Sequence, residues 1–268
     1  MNTVVDFTRQ LNDFLNTFEQ LARKYDHSIH HAEQMELAIN AYSHWITDKR
    51  HEPFWAEKEH EEDTGFKQLV LDLRHQSSRC VAIMEKYRAL KLQQGEMEIA
   101  DYFKNIEECI EKEFGSFHVT SDSKVLLIGS GAFPMTPLLI ARRTGAQVVG
   151  IDIDEEAIGL GQTVVNSLGA GLRIHLRKAS VQELDFTKEA THIIFSSTVA
   201  MKYDILDQLH SLTNEHVVVA MRYGNGLKSL FNYPQQETDP LKWRLVDNIL
   251  RPHDVFDIAL YQKPSHVG

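Results

Sequence analysis

Cysteine is scarce in this chain of 268 residues: only Cys80 and Cys109 occur. No CxxC spacing joins them, so structural thiols on helices are expected rather than a disulfide framework or a catalytic thiol. Basic charge is also in deficit, with 28 Lys and Arg against 38 Asp and Glu and a net charge of −10. The deficit is uneven. Residues 1–118 hold 14 basic against 22 acidic side chains, a net of −8, whereas residues 119–268 hold 14 against 16, a net of −2. An acidic first half repels phosphate backbones, which argues against a nucleic-acid partner. No run is long and apolar enough to span a bilayer, and MNTVVDFTRQLNDF lacks the basic-then-apolar order of a leader, so a cytoplasmic protein with no membrane partner is expected. GxxxxGK[ST] is missing, which excludes a P-loop. Internal repeats and low-complexity segments are absent too.

What is present is ordinary for a globular protein: 43% hydrophobic and 25% charged residues, in a length that holds two modest domains. In the first domain, apolar residues recur at spacings of three and four. Phe7, Leu11, Phe14, Phe18 and Leu21 predict one amphipathic helix; Ala38, Ala41, Tyr42, Trp45 and Ile46 predict a second; Leu69, Leu73, Cys80, Met84 and Tyr87 predict a third. A fourth helix is expected from about Glu98 to Phe114, punctuated by Gly95 and Gly115. The acidic run EHEED at 59–63 reads as a solvated face or loop.

The period changes after residue 118. VLLIGS (125–130), QVVGIDID (147–154), LRIHLRKA (172–179), THIIFSST (191–198) and HVVVAMRYG (216–224) are short β-branched runs separated by helical lengths. Such alternation predicts a parallel sheet covered on both faces. Two further runs around Arg251-Pro252 predict a hairpin at the sheet edge. The expected organisation is a helical domain over 1–118 and an α/β Rossmann-type domain over 119–268.

The first strand runs into Gly129-Ser130-Gly131-Ala132-Phe133-Pro134, with a helix expected to open near Pro134. Backbone N–H groups at such a turn face a ligand. The second strand ends in Asp152-Ile153-Asp154, where a carboxylate can accept ribose hydroxyls. A dinucleotide needs a third small residue for close helix approach, and Phe133-Pro134 obstructs it. S-adenosylmethionine, which carries a sulfonium and no phosphate, is the better match. Beyond the fourth strand lie Ser196, Ser197 and Thr198, placed either for the ligand or to cap the next helix. After the fifth come Arg222, Tyr223 and Asn225, then Tyr233. The fork of Arg222 suits a carboxylate if it points into the crevice, and is a surface residue if it does not. His30 and His31 lack metal-type partners, and no bound metal is expected.

Together GSGAFPMT, GIDID, HIIFSST, VVVAMRYGNG and FNYP resemble the nicotianamine synthase family, over nearly the whole chain. The resemblance is closest to its bacterial branch of D-histidine 2-aminobutanoyltransferases of staphylopine-type metallophore synthesis. It implies an S-adenosylmethionine-dependent, class I methyltransferase-like fold under a helical lid. It implies transfer of the 3-amino-3-carboxypropyl group, not the methyl, to the α-amine of histidine, with methylthioadenosine released. Ser180 and Val181 then join the glycine loop, the Asp152–Asp154 segment and Ser196–Thr198 in holding the cofactor. In the same reading Glu85, from CVAIMEKYR, is the general base; Tyr102 orients the amine; and Phe103, Asn105, Arg222, Tyr223, Asn225 and Tyr233 meet the substrate. A surface ion pair of Glu85 with Lys86 or Arg88 stays open as the alternative. The segment DYFKNIEE carries Ile106 where plant members have a second tyrosine, which favours an amino-acid acceptor. The product is expected to pass to an opine-type dehydrogenase, and a homodimer stays open. An N-methyltransferase and a non-catalytic binding module are the rival readings.

Overall fold

The computed structural model describes residues 4–60, 62–96 and 117–264. Four helices come first: α1 (Val4–Arg23), α2 (Ala32–Ile46), α3 (Glu52–Glu59) and α4 (Thr64–Gln94). The apolar stripes dictate how they pack. Phe7, Leu11, Phe18 and Leu21 of α1 and Met35, Ile39, Tyr42 and Ile46 of α2 are all buried in one cluster. The third predicted stripe becomes a single helix of 31 residues, α4. Asp63, the last residue of the acidic run, caps it by accepting from the backbone N–H groups of Gly65 and Phe66. Gly95 ends it in the left-handed region, at φ 74°, where a side chain would be strained. The expected fourth helix lies outside the described residues, and so do Tyr102, Phe103, Asn105 and Cys109.

Strands and helices then alternate: β1 (Lys124–Ile128), α5 (Met135–Thr144), β2 (Gln147–Asp152), α6 (Glu155–Leu168), β3 (Ile174–Lys178), α7 (Phe186–Glu189), β4 (His192–Phe195), α8 (Lys202–Leu212) and β5 (Val218–Tyr223). The closing hairpin, β6 (Arg244–Ile249) and β7 (Asp257–Gln262), completes a seven-stranded sheet of order β3-β2-β1-β4-β5-β7-β6. The hairpin docks through its second strand, β7, antiparallel to β5. Alternation along each strand splits the core in two. Val125 and Leu127 of β1 face one layer and Leu126 and Ile128 the other; on β5, Val218 and Ala220 oppose Val219, Met221 and Tyr223. The chain therefore folds as an α/β protein of the doubly wound type.

The helical layer does not hang free over this sheet. Its core cluster includes Leu227, Leu230 and Phe231, from the segment after β5. Tyr42 donates to the Leu230 carbonyl at 2.9 Å and Arg74 to that of Ser229 at 2.7 Å, both in buried surroundings. A separately folding recruitment domain is hard to reconcile with a core that takes three apolar side chains from the other half.

Candidate active site

The glycine loop leaves β1 with Gly129 at φ 82° and Gly131 at φ 66°. Gly129 and Ser130 donate to the Ile151 carbonyl at 2.9 and 3.0 Å, which holds the loop to the end of β2. Pro134 is the N-cap of α5, so the helix opens where the proline predicts. Asp152 braces the same turn. Its Oδ2 accepts from the Gly131 N–H at 2.9 Å and its Oδ1 from the Asp154 N–H at 3.0 Å. Asp154 does a different job: its carboxylate caps α6 by accepting from Glu156 and Ala157. Between them Ile153 is 87% exposed, an unpacked apolar surface beside the acidic strand end.

Above the loop stands Glu85, on the face of α4 turned to the sheet. A Cβ at Gly131 would overlap the Glu85 carboxylate and stand 2.9 Å from its Cδ. The missing side chain is what lets the carboxylate descend onto the loop, where the Ala132 N–H donates to it. Glu85, Gly129, Ser130, Phe133 and Ser196 line one cavity of about 170 Å³ with Leu127, the first turn of α5 (Met135, Thr136, Pro137), Arg222 and Phe256. Glu85 is half-buried and forms part of the cavity wall. Burial, and then the charge of Asp152, push its carboxyl up to about 8, against the pull of Arg88, the Ala132 N–H and Arg222. A carboxylate of that proton affinity can take a proton from an ammonium near neutral pH. Of the two cations weighed as ion-pair partners of Glu85, Arg88 does act on it through its charge, which lowers the proton affinity of the carboxyl. Lys86 reaches Asp154 and Glu156, both at 2.6 Å, and the Arg88 Nε donates to Glu36 at 3.0 Å. Tyr25 and His27 also meet Glu156, at 2.7 and 2.6 Å, so the loop after α1 joins α4 in clasping α6 beside the glycine loop.

Arg222 points into the crevice. Its guanidinium donates to Thr136 Oγ1 at 3.1 Å and lies 5.1 Å over the Phe256 ring. Alternation then sends Tyr223 to the opposite face of β5, where its hydroxyl meets Asn248 Oδ1 at 3.4 Å; it is not brought to the cavity. Asn225 spends its side-chain carbonyl on the Gln235 N–H at 3.0 Å. Ser180 bonds Glu183 through its N–H and hydroxyl, and Val181 is buried in the core, so the structure places both at the end of β3 and apart from the cavity. Ser196, Ser197 and Thr198 do not cap the next helix, because α8 starts at Lys202 with Met201 as its N-cap. Ser130 is 5% exposed and its hydroxyl has no partner among the described residues, a buried polar group that a ligand in the cavity would satisfy.

The sequence reading misses Lys202 and Arg74. Lys202 is fully buried, and its ammonium is held by the carbonyls of Ser196 (3.5 Å), Ser197 (3.0 Å) and Arg222 (2.6 Å). It thereby ties the ends of β4 and β5 together, and burial, then Arg222 and Arg74, pull its proton affinity down to about 7. Nothing local in VAMKYD marks that lysine. Arg74 did leave a signal: a charge one residue from Leu73 and three from Ser77, on a stripe that is otherwise core. Among the described residues no three His, Cys, Asp or Glu side chains gather as a metal site.

Residues 67–260 match the family model described as nicotianamine synthase protein. L-histidine 2-aminobutanoyltransferase of Pseudomonas aeruginosa is 30% identical over 75% of this chain and 76% of its own length. The enzyme of that name from Yersinia pestis is 31% identical over 77% of each. Among solved structures, MtNAS in complex with MTA and tNA superposes with a TM-score of 0.79 at 15% identity, over 97% of this chain and 98% of that one. A mutant of MtNAS in complex with S-adenosylmethionine gives 0.70 at 13% identity, over 94% and 98%. At those identities the likeness is one of fold.

Proposed function

We propose, for a chain that belongs to the nicotianamine synthase family, that it transfers the 3-amino-3-carboxypropyl group of S-adenosylmethionine to the α-amine of histidine. The observation that carries transfer to an amine is Glu85, a buried carboxylate set on the glycine loop inside a cavity it shares with Arg222. Methyl transfer to an amine would need the same base, so the names of the curated relatives, not Glu85, favour aminobutanoyl transfer over methylation. The names of the curated relatives support histidine as acceptor and favour its L form over the D form implied by the bacterial branch. The residues suit the co-substrate. Asp152 offers a carboxylate for ribose hydroxyls, exposed Ile153 a surface for the base, and Ser130 and Arg222 polar partners for the methionine tail.

In the proposed step the amine lone pair attacks the methionine γ-carbon. The carbon–sulfur bond breaks, its electron pair goes to sulfur, and methylthioadenosine departs. Glu85 takes the ammonium proton before attack. The less hindered methyl is the competing target, so positioning supplies much of the selectivity. The product, with two carboxylates, two amines and an imidazole, has the donor set of a chelator, in keeping with a metallophore handed on to an opine-type dehydrogenase.

Incubation with S-adenosylmethionine and each enantiomer of histidine tests the reading by mass spectrometry. Methylthioadenosine with a histidine heavier by an aminobutanoyl unit is expected. S-adenosylhomocysteine with methylated histidine overturns the reaction class. The acidic pair is expected to separate in binding and unfolding measurements. Asp152→Ala removes a charged acceptor worth roughly 1.5–3 kcal/mol, raising the S-adenosylmethionine dissociation constant about tenfold or more by calorimetry. Asp154→Ala removes the α6 cap and the Lys86 pair, lowering stability by about 0.5–2 kcal/mol in denaturant unfolding, with a smaller effect on affinity.

A further inference from the structure

Charged side chains are seldom buried without an opposite charge. Arg74 is such a case: it is 9% exposed, and its causes of shifted proton affinity are burial and two tyrosines, Tyr233 and Tyr42, with no carboxylate among the described residues. Its Nε–H goes to the Ser229 carbonyl at 2.7 Å, and the described residues provide no acceptor for its terminal nitrogens. The guanidinium lies 5.4 Å over the Tyr233 ring, and the Lys202 ammonium stands 5.8 Å from the same ring. The two cations differ in what they have left to offer. Lys202 has committed its protons to three carbonyls, so it is a strut. Arg74 retains an open fork, the geometry that matches a carboxylate in two parallel hydrogen bonds.

Arg74 is also aligned with the chemistry. It precedes Glu85 by eleven residues on one helix, close to three whole turns, so both leave α4 on nearly the same face about 16 Å apart along the axis. Both side chains leave α4 toward the sheet domain, Arg74 to the Ser229 carbonyl and Glu85 to the Gly131 turn. A contact chain leads the same way, from Arg74 to the Tyr233 ring, to Lys202, to the Arg222 carbonyl at the cavity.

We infer that Arg74 is the receptor for the α-carboxylate of the amino-acid acceptor, with Tyr233 as the wall that holds its fork, so that the acceptor's amine is presented toward Glu85. This rests on the aminobutanoyl-transfer reading. Arg222, at the far side of the cavity on Thr136, is then left for the carboxylate of the methionine tail.

The test compares histidine with histidinamide, in which the carboxylate is replaced by a neutral amide, on the full chain. Arg74→Gln is expected to raise KM for histidine by tenfold or more with little change in kcat, and to leave KM for histidinamide where the wild type has it. Arg74→Lys, which keeps the charge and loses the fork, is expected to fall between the two. Calorimetric affinity for S-adenosylmethionine should be the same in all three proteins, a result that collapse of the Ser229 contact would not give. Equal losses for both acceptors, or no loss for either, overturn the inference. Wild-type protein that makes no methylthioadenosine sinks the underlying reading instead. Calorimetric binding of histidine beside methylthioadenosine then decides on Arg74 by itself: weakening confined to the Arg74 variants supports it, and unchanged binding overturns it.

Discussion

Glu85→Gln is expected to lower turnover by roughly 10² to 10⁴, the range lost with a positioned general base, while both ligands still bind. The substitution keeps the shape of the side chain and removes its ability to accept a proton. The pH profile carries the sharper signature. Because burial and Asp152 hold the carboxyl near 8, its basic form grows as pH rises toward and past that value, and the wild-type rate should climb with it. The variant should lack that limb and recover activity only at high pH, where the acceptor amine is already neutral. A variant that runs at the wild-type rate at neutral pH removes Glu85 from the mechanism.

The same group makes a prediction about stability, and its sign follows from linkage. The folded-state value, about 8, lies above the ordinary value of 4.5. Between those values the unfolded chain gives up the proton while the folded chain keeps it, so rising pH draws the equilibrium toward the unfolded state. The full stability is therefore present below about pH 4.5 and lost as pH rises through 8. Glu85→Gln does not titrate, so it should be the more stable protein at pH 8, by on the order of a few kcal/mol, and no more stable than wild type at pH 4. Denaturant midpoints at the two pH values measure this.

Gly131→Ala is expected to lower turnover by roughly 100-fold or more, the cost of an ångström-scale misplacement at a reacting centre. The new methyl would occupy the place of the Glu85 carboxylate, and the end of a flexible side chain moves before a backbone does. The carboxylate then leaves the loop and the Ala132 N–H, and the base is lost without loss of the fold. A left-handed φ costs a non-glycine residue roughly 1–2 kcal/mol, so some destabilisation is expected as well. Gly145→Ala is the control. Gly145 ends α5 at φ 73°, close to the 66° of Gly131, but nothing approaches its Cβ position nearer than 3.7 Å. It should lose similar stability and keep its turnover. Equal turnover in the two variants would mean that the contact between Gly131 and Glu85 has no catalytic consequence.

Much of this protein is legible in one dimension, because the features concerned are set by neighbours in the chain. The strand runs β1 to β5 announce themselves since a sheet buried on both faces needs continuous β-branched segments. The glycine turn, the helix start at Pro134 and the left-handed cap at Gly95 follow from backbone geometry that few residues allow. Asp152 and Asp154 were legible as a pair and not as individuals. Which one caps α6 depends on where the helix begins, and that two-residue difference gives Asp154 the cap and leaves Asp152 braced on the loop.

Other roles were decided only by the tertiary structure. Side-chain alternation separated Arg222 from Tyr223 once the register of β5 was set, sending the arginine to the crevice and the tyrosine to the far core. Lys202 became a strut because two strand ends converged on it, and Arg74 acquired an open fork because the segment around Ser229 folded back onto α4. Glu85 shows the division most plainly. Its sequence, IMEKYR, is that of any amphipathic helix. What gives it a proton affinity near 8 is the approach of α4 to a glycine 46 residues further along the chain, which excludes water and sets Asp152 beside it. Local sequence determines backbone conformation because those forces act between neighbouring residues; burial and charge act through space, and only the folded chain brings such partners together.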